Sequence, residues 1–282
     1  MASTVVADIG GTSSRWGVLS PEGGSLILDG LPGFNPAVGE PGGFIGAVKE
    51  RFHAQGIDVG DLFAYGAGCG SIERTTRMAE ALLLAFPGAR VDVASDLLGA
   101  AHGLLGSARG LVLILGTGMN AGYYDGTTLH QPMPSLGYIL GDEGSGADIG
   151  KHFLQDALHG RVPDPVMQAV FPQGIDAAKV IERVYRGTGP QAWLAAFAGT
   201  LAEVGENGYV QDLVGKRFRV LSRSLQRYFG GSGNQNIHAT GSVAYGYKGI
   251  LEHVLQEVGF NLSDVQPSPL PGLLRYRAPA AR

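Results

Sequence analysis

Cysteine is almost absent from this chain: Cys69 alone stands among 282 residues. An intrachain disulfide is excluded, and a lone thiol fits a reducing compartment. No partner base stands near it in the sequence, so Cys69 reads as a small buried residue, not a catalytic thiol. Charge is sparse too, at 16% with a net charge of −4. No basic stripe is available to neutralise a phosphate backbone, which argues against nucleic acid as a partner. Long apolar runs are missing, and none approaches the ~20 residues that a membrane-spanning helix needs. The opening residues carry no basic segment of a secretory leader. The expectation is a cytoplasmic protein without a membrane partner. Two phosphate signatures are also absent. There is no G-x-x-x-x-G-K-[ST], and no G-x-G-x-x-G opens a helix after the first strand, so neither a Walker nor a Rossmann site is expected.

Glycine is present in excess, with 46 residues, about double the ordinary share. Two glycine-rich turns each interrupt a strand. Asp8-Ile9-Gly10-Gly11-Thr12 follows the apolar run Thr4 to Ala7, and Gly116-Thr117-Gly118 follows Leu111 to Leu115. Apolar residues resume after both. Glycine lets consecutive amides point into one small space, which makes an anion nest. A hydroxyl, Thr12 or Thr117, accompanies each turn. Such turns also serve as plain hairpin connectors. Their pairing on two halves of one chain favours a phosphate chain gripped from both sides.

The pattern along the chain supports two halves. Strands are expected over 3–9, 14–20 and 24–30, a helix over 43–55, a strand over 62–67, a helix over 73–86, a strand over 90–94 and a helix over 96–105. From Gly110 the order restarts, with strands over 111–115, 120–124 and 128–132, the last two joined by Asp125-Gly126. Helices follow over 146–159, 176–186, 190–204 and 207–229, then a strand over 235–240 and a helix over 243–257. The boundary lies near Ser107-Ala108-Arg109, giving lobes 1–107 and 108–282, and a cleft between lobes is the expected place for a small ligand.

Three acidic positions could carry chemistry. Asp96 ends a strand and begins a helix: Ser95 or Asp96 caps that helix, or Asp96 is a general base aimed at a hydroxyl, and the two roles need not exclude each other. Asp8 precedes the first turn; it either stabilises that turn or orients Mg²⁺ beside phosphates. In Gly141-Asp142-Glu143-Gly144-Ser145-Gly146, two acids bracketed by glycines could cap a helix, bind a metal or accept bonds from sugar hydroxyls. The histidines are dispersed, which makes the metal reading the weakest.

These segments, with Leu115-Gly116-Thr117-Gly118-Met119-Asn120 and Gly241-Ser242-Val243-Ala244, stand in the order seen in N-acetylglucosamine kinases. The chain resembles the BadF/BadG/BcrA/BcrD-type ATPase family over nearly its whole length. The resemblance implies an α/β, two-lobed actin-like ATPase (ribonuclease H-like) fold, with a duplicated βββαβαβα core. It implies ATP-dependent phosphorylation of an amino sugar, N-acetylglucosamine first, at its 6-hydroxyl. Gly10, Gly11, Thr12, Gly116, Thr117 and Gly118 would hold the phosphates of ATP, with Asp8 near Mg²⁺ and Asp96 as base. Gly241 and Ser242 would meet the nucleoside, and Asn35, Asn120, Gly137 and Asp142 the sugar. Met119 and Tyr138 depart from common family residues beside the sugar positions. Kinases of N-acetylmuramic acid or glucosamine are the alternatives. A non-catalytic sugar sensor is disfavoured by the intact Asp96, and a dehydratase-activating ATPase by the lone cysteine, which cannot ligate an iron–sulfur cluster. The expected partners are the sugar and ATP, and the expected assembly is a homodimer.

Overall fold

The computed structural model describes residues 2–205, 207–231, 233 and 235–278. In chain order the elements begin with β1 (Ser3–Ile9), β2 (Ser13–Leu19), β3 (Ser25–Pro32), α1 (Gly42–Ala54), β4 (Val59–Gly66), α2 (Ile72–Ala85), β5 (Arg90–Ser95) and α3 (Asp96–Leu105). Then come β6 (Gly110–Leu115), β7 (Met119–Tyr124), β8 (Leu129–His130), α4 (Gly137–Leu140), α5 (Gly146–Leu158), α6 (Asp164–Val170), α7 (Ala177–Tyr185), α8 (Pro190–Glu203) and α9 (Gly208–Phe229). The chain closes with β9 (Asn236–Thr240), α10 (Ser242–Gly246), α11 (Lys248–Gln256), β10 (Asn261–Gln266) and α12 (Leu270–Arg277). It forms two compact units: the chain up to Ala108 together with the segment from Ser268 onward, and Arg109–Pro267. No helix among the described residues is long and apolar enough to cross a membrane.

The first unit holds a five-stranded sheet of order β3-β2-β1-β4-β5. β1 runs antiparallel to β2 and parallel to β4, and β4 runs parallel to β5. Val5, Val6 and Ala7 of β1 are all buried, the mark of a central strand covered on both faces. Val5, Ala7 and Ile9 face a core with Trp16, Phe44 and Phe52. The ring of Trp16 meets Phe52 edge-on at 5.3 Å. Its indole N–H donates to Ser14 Oγ at 2.8 Å, and that hydroxyl donates to Pro32 O at 2.7 Å. The buried polar atoms are thereby satisfied, and β2 is tied to the end of β3. Val6, on the opposite face, packs with Tyr65 against Leu270, Leu273 and Leu274 of α12. The sequence boundary assigns the C-terminal segment to the second lobe. In the structure it joins the first unit, because α12 covers a sheet face that would otherwise expose Val6 and Tyr65.

The second unit repeats the arrangement in a sheet of order β10-β9-β6-β7-β8. A meander is again extended by two parallel strands on the side of its first strand. Helices α4 to α9 stand between β8 and β9. Several details differ from expectation, among them the short helices α4 and α6, which the sequence pattern does not mark. β8 is only Leu129–His130, since the Asp125 carboxylate gathers the amides of Thr127 and Thr128. The helix expected over 243–257 breaks at Tyr247 (φ −116°, ψ 28°), whose hydroxyl is drawn to Ala198 O at 2.6 Å. β10 was not expected at all: only Val265 of its six residues is fully buried, so its alternation is faint.

Candidate active site

In the first unit β1, β4 and β5 end level, with Ile9 opposite Gly66 and Gly66 opposite Ser95. The turn Gly10–Thr12, the loop after Gly66 and Asp96 therefore share the carboxyl edge of the sheet, where open α/β sheets carry ligands. The turn is closed by Gly10 N–H donating to Ser13 O at 2.9 Å. A strap holds it from outside: Gly33 N–H donates to Thr12 O at 3.0 Å and Phe34 N–H to Gly10 O at 3.1 Å. Gly33 cannot be replaced freely, because a Cβ there would overlap Gly10 O. Among the described residues, the amides of Gly11 and Thr12 meet no acceptor, which is the condition for an anion nest.

Asp96 is the first residue of α3, and Ser95 is its cap, with Ser95 Oγ accepting from Leu98 N–H at 3.2 Å. The sequence left the cap between these two residues; the structure gives it to Ser95. The Asp96 carboxylate accepts from Leu97 N–H at 2.8 Å and sits at the positive end of the helix dipole. Burial, and then the charge of Asp96, push the Cys69 thiol up to about 12, so Cys69 is an inert neighbour. Asp8 accepts from Ser268 Oγ at 3.3 Å. Burial pushes its carboxyl up to about 6 despite that bond and nearby Arg15. No group of three or more His, Cys, Asp or Glu among the described residues could hold a metal by itself. An under-compensated carboxylate standing alone fits Mg²⁺ shared with phosphates better than an all-protein cage. Asn35 lies beside the turn, its Cβ 3.8 Å from where Gly11 would carry one, and its Oδ1 accepts from Ala37 N–H at 2.9 Å. Arg77 of α2 pins that loop by donating to Pro36 O at 2.6 Å and Gly39 O at 2.8 Å.

In the second unit β6 and β9 end level, Ile114 opposite Thr240. Gly116–Gly118 and Gly241-Ser242 thus share an edge. The turn is closed by Gly116 N–H donating to Gly118 O at 3.0 Å. Its outer support is the start of α5, with Gly146 N–H donating to Gly116 O at 2.8 Å and Ala147 N–H to Thr117 O at 3.2 Å. The amides of Thr117 and Gly118 meet no acceptor among the described residues. Gly241 has φ +114°, and a Cβ on it would lie 2.5 Å from Leu115 O, so glycine is required for the two turns to approach. Gly116, Thr117, Ser242 and Val243 line a cavity of about 280 Å³ with Ala192, Ala195, Ala196 and Gly199 of α8.

Asp142 is 5% exposed and has φ +57°, the one positive φ outside glycine among the described residues. Such backbone strain is concentrated at functional sites. Its carboxylate accepts from Gln191 Nε2 at 3.2 Å and from the Met119 amide. Burial pushes it up to about 6, and Glu143 and Asp148 add to that. Asn120, next to Met119, accepts from Gln131 Nε2 at 2.5 Å. Gly137 (φ +72°) begins α4, and its carbonyl accepts from Gly141 N–H at 2.8 Å, so Gly137 and Asp142 flank one helical turn. Asp148, 2% exposed, holds the loop together. It accepts from Gly144 N–H at 2.9 Å and Arg217 Nε at 2.7 Å. Burial alone would raise its carboxyl; bonds from His152, Arg217 and Gly144 prevail and take it to about 2.

Sequence reasoning missed Arg77, Asp148, Gln191 and Ser268. Only Asp148 had a signal: Ser145-x-x-Asp148 is a capping pattern ahead of an apolar helix, and Ser145 Oγ does accept from Asp148 N–H at 3.2 Å. The other three are brought in from distant segments.

No family model matches the chain, and no curated protein does. Solved structures do. One is a protein from Porphyromonas gingivalis provisionally named an N-acetylglucosamine kinase. It is 32% identical over 97% of this chain and 98% of its own, with a TM-score of 0.84. A similarly named protein from Chromobacterium violaceum is 19% identical over 98% of this chain and 99% of its own, with a TM-score of 0.71. A ROK family glucokinase from Streptomyces griseus, solved with glucose and AMPPNP, is 16% identical over 98% of both chains, at 0.55. The last two speak for the fold alone.

Proposed function

The chain belongs to the N-acetylglucosamine kinase-like family of BadF/BadG/BcrA/BcrD-type ATPases, with the actin-like ATPase fold, and we propose that it phosphorylates N-acetylglucosamine at the expense of ATP. The enzyme class is that of an ATP-dependent sugar kinase. One observation carries the finer reading. The turn Gly116–Gly118 borders the cavity at Ser242 through Thr117, while Gly118 stands against the Asp142 carboxylate. A single three-residue turn thus adjoins a nucleoside-sized space and a buried acid suited to sugar hydroxyls, as the phosphoryl group to be transferred requires.

In this reading the amides of Gly11, Thr12, Thr117 and Gly118 hold phosphate oxygens. Phosphoryl transfer depends on positioning and charge neutralisation more than on covalent chemistry. Gly241, Ser242 and the small residues of α8 receive the nucleoside. Asn35, Asn120, Gly137 and Asp142 bind sugar hydroxyls, the carboxylate forming the strongest, charge-assisted bonds. Asp96 accepts the proton of the attacking hydroxyl, taken to be the 6-hydroxyl. Asp8 is the residue that would hold Mg²⁺, which when bound neutralises charge on the phosphates. The assembly proposed is a homodimer.

An ADP-release assay over N-acetylglucosamine, N-acetylmuramic acid, glucosamine, N-acetylmannosamine and glucose tests the substrate. The highest kcat/KM is expected with N-acetylglucosamine. A higher value with another sugar reassigns the substrate, and release of ADP with none of them removes the kinase reading.

A further inference from the structure

We propose that Gln191 is a positioning residue that holds the Asp142 carboxylate for the sugar, and that helix α8 links this contact to occupancy of the cavity at Thr117 and Ser242. The inference rests on the reading that Asp142 binds the sugar.

An ionised carboxylate only accepts hydrogen bonds, so the amino end of the Gln191 amide must face Asp142 Oδ2, 3.2 Å away. Gly118 completes the contact: a Cβ there would lie 2.9 Å from Asp142 Oδ2 and 3.3 Å from Gln191 Nε2. Asp142 needs such support. Its left-handed backbone does not by itself direct the side chain, and among the described residues the Met119 amide and Gln191 hold the carboxylate. Gln191 follows Pro190 in the first turn of α8. The next residues on that helix, Ala192, Ala195, Ala196 and Gly199, recur at intervals of three and four and line the cavity. α8 has little freedom to shift against α5. Gly150 leaves room only for the Leu194 carbonyl, and Gly146 would bring a Cβ to 3.1 Å from that of Ala195. One braced helix therefore touches the acid through its first turn and the cavity through the turns that follow. Held on α5, the helix moves only with it, so ligands at its two ends select one setting of the pair, which is reciprocal positive coupling.

The test is calorimetric titration of N-acetylglucosamine with and without Mg²⁺–AMPPNP, on wild type, Gln191→Ala and Gln191→Met. In wild type AMPPNP should tighten sugar binding about fivefold or more. In both variants sugar Kd with AMPPNP should rise about tenfold, the effect of losing a bond to a charged group. The tightening should shrink below about twofold. AMPPNP affinity without sugar should stay at the wild-type value, and the melting temperature should fall by no more than a few degrees. Unchanged sugar Kd and unchanged tightening in the variants overturn the proposal, as does an equal loss of AMPPNP affinity and melting temperature. Asp142→Asn serves as the separate arm. If it leaves sugar binding intact, the assignment of Asp142 itself fails, whatever Gln191 does.

Discussion

The turns at Gly10–Thr12 and Gly116–Gly118 leave equivalent strands of two sheets built in the same order, yet their outer supports differ. The first is held by a strap of irregular chain at Gly33 and Phe34, the second by the N-terminus of α5. The strap carries on directly into Asn35; the helix start carries back into Asp142 and Ser145. Each support thus delivers a candidate sugar residue to its own turn. A sheet edge dictates where two amides can point, while the supporting segment dictates what stands beside them. The acids divide as well: Asp96 is assigned chemistry on the first sheet, Asp142 binding on the second.

The largest effect expected is on that division. Asp96→Asn should lower kcat by about 10²–10⁴-fold with melting temperature and sugar KM near wild type, the usual loss for positioned proton transfer. Asp142→Asn should instead raise sugar KM. Ser95→Ala removes the cap and should cost ~0.5–2 kcal/mol of stability while turnover survives. Near-normal turnover by Asp96→Asn erases the division between the units.

The supports can be broken one at a time. Gly33→Ala forces a Cβ into Gly10 O, whereas Gly146→Ala meets its neighbours at 3.1–3.2 Å. Urea unfolding should show the former costing ~3 kcal/mol or more and the latter ~1 kcal/mol. The reverse order means that the strap yields and the helix does not.

Asp142 should make the second unit less stable as pH rises. Its folded value of about 6 lies above the ordinary 3.8, so the folded chain holds the proton more tightly. Stability present below pH 4 is lost as pH rises through 6. Asp142→Asn should therefore raise stability at pH 8 by roughly 1–3 kcal/mol and change little near pH 4. Thermal melts at the two pH values decide this, and a gain of equal size at both refutes the burial cost. The smallest effect expected is that of Arg77→Ala, which frees the carbonyls of Pro36 and Gly39. It should raise sugar KM by about threefold, with ATP KM unchanged. No change in sugar KM places Asn35 outside the sugar site.

Much of this molecule was legible because its strands are short, apolar and punctuated. β1, β6 and β7 lie within a residue of where periodicity and glycine placed them. Both turns, Asp96 and the Gly141–Gly146 segment were legible as candidates for the same reason: turn glycines and acids at an element's end are local features of the sequence. β10 was not visible, since Asn261-Leu262-Ser263-Asp264-Val265-Gln266 alternates too weakly to declare an edge strand. Neither was the destination of α12, because its leucines fit any apolar face and only the bare side of β1 selects one.

By itself the sequence determined the succession of strands and helices in the first half, the two turns that free pairs of amides, and which acids stand at element ends. These follow from local rules of periodicity and turn chemistry. Tertiary structure alone decided that α12 covers the first sheet and that Ser268 reaches Asp8. It also decided that Gln191, 49 positions along the chain, meets Asp142. Such contacts arise when packed helices and sheets bring remote segments together, and no local spacing encodes them.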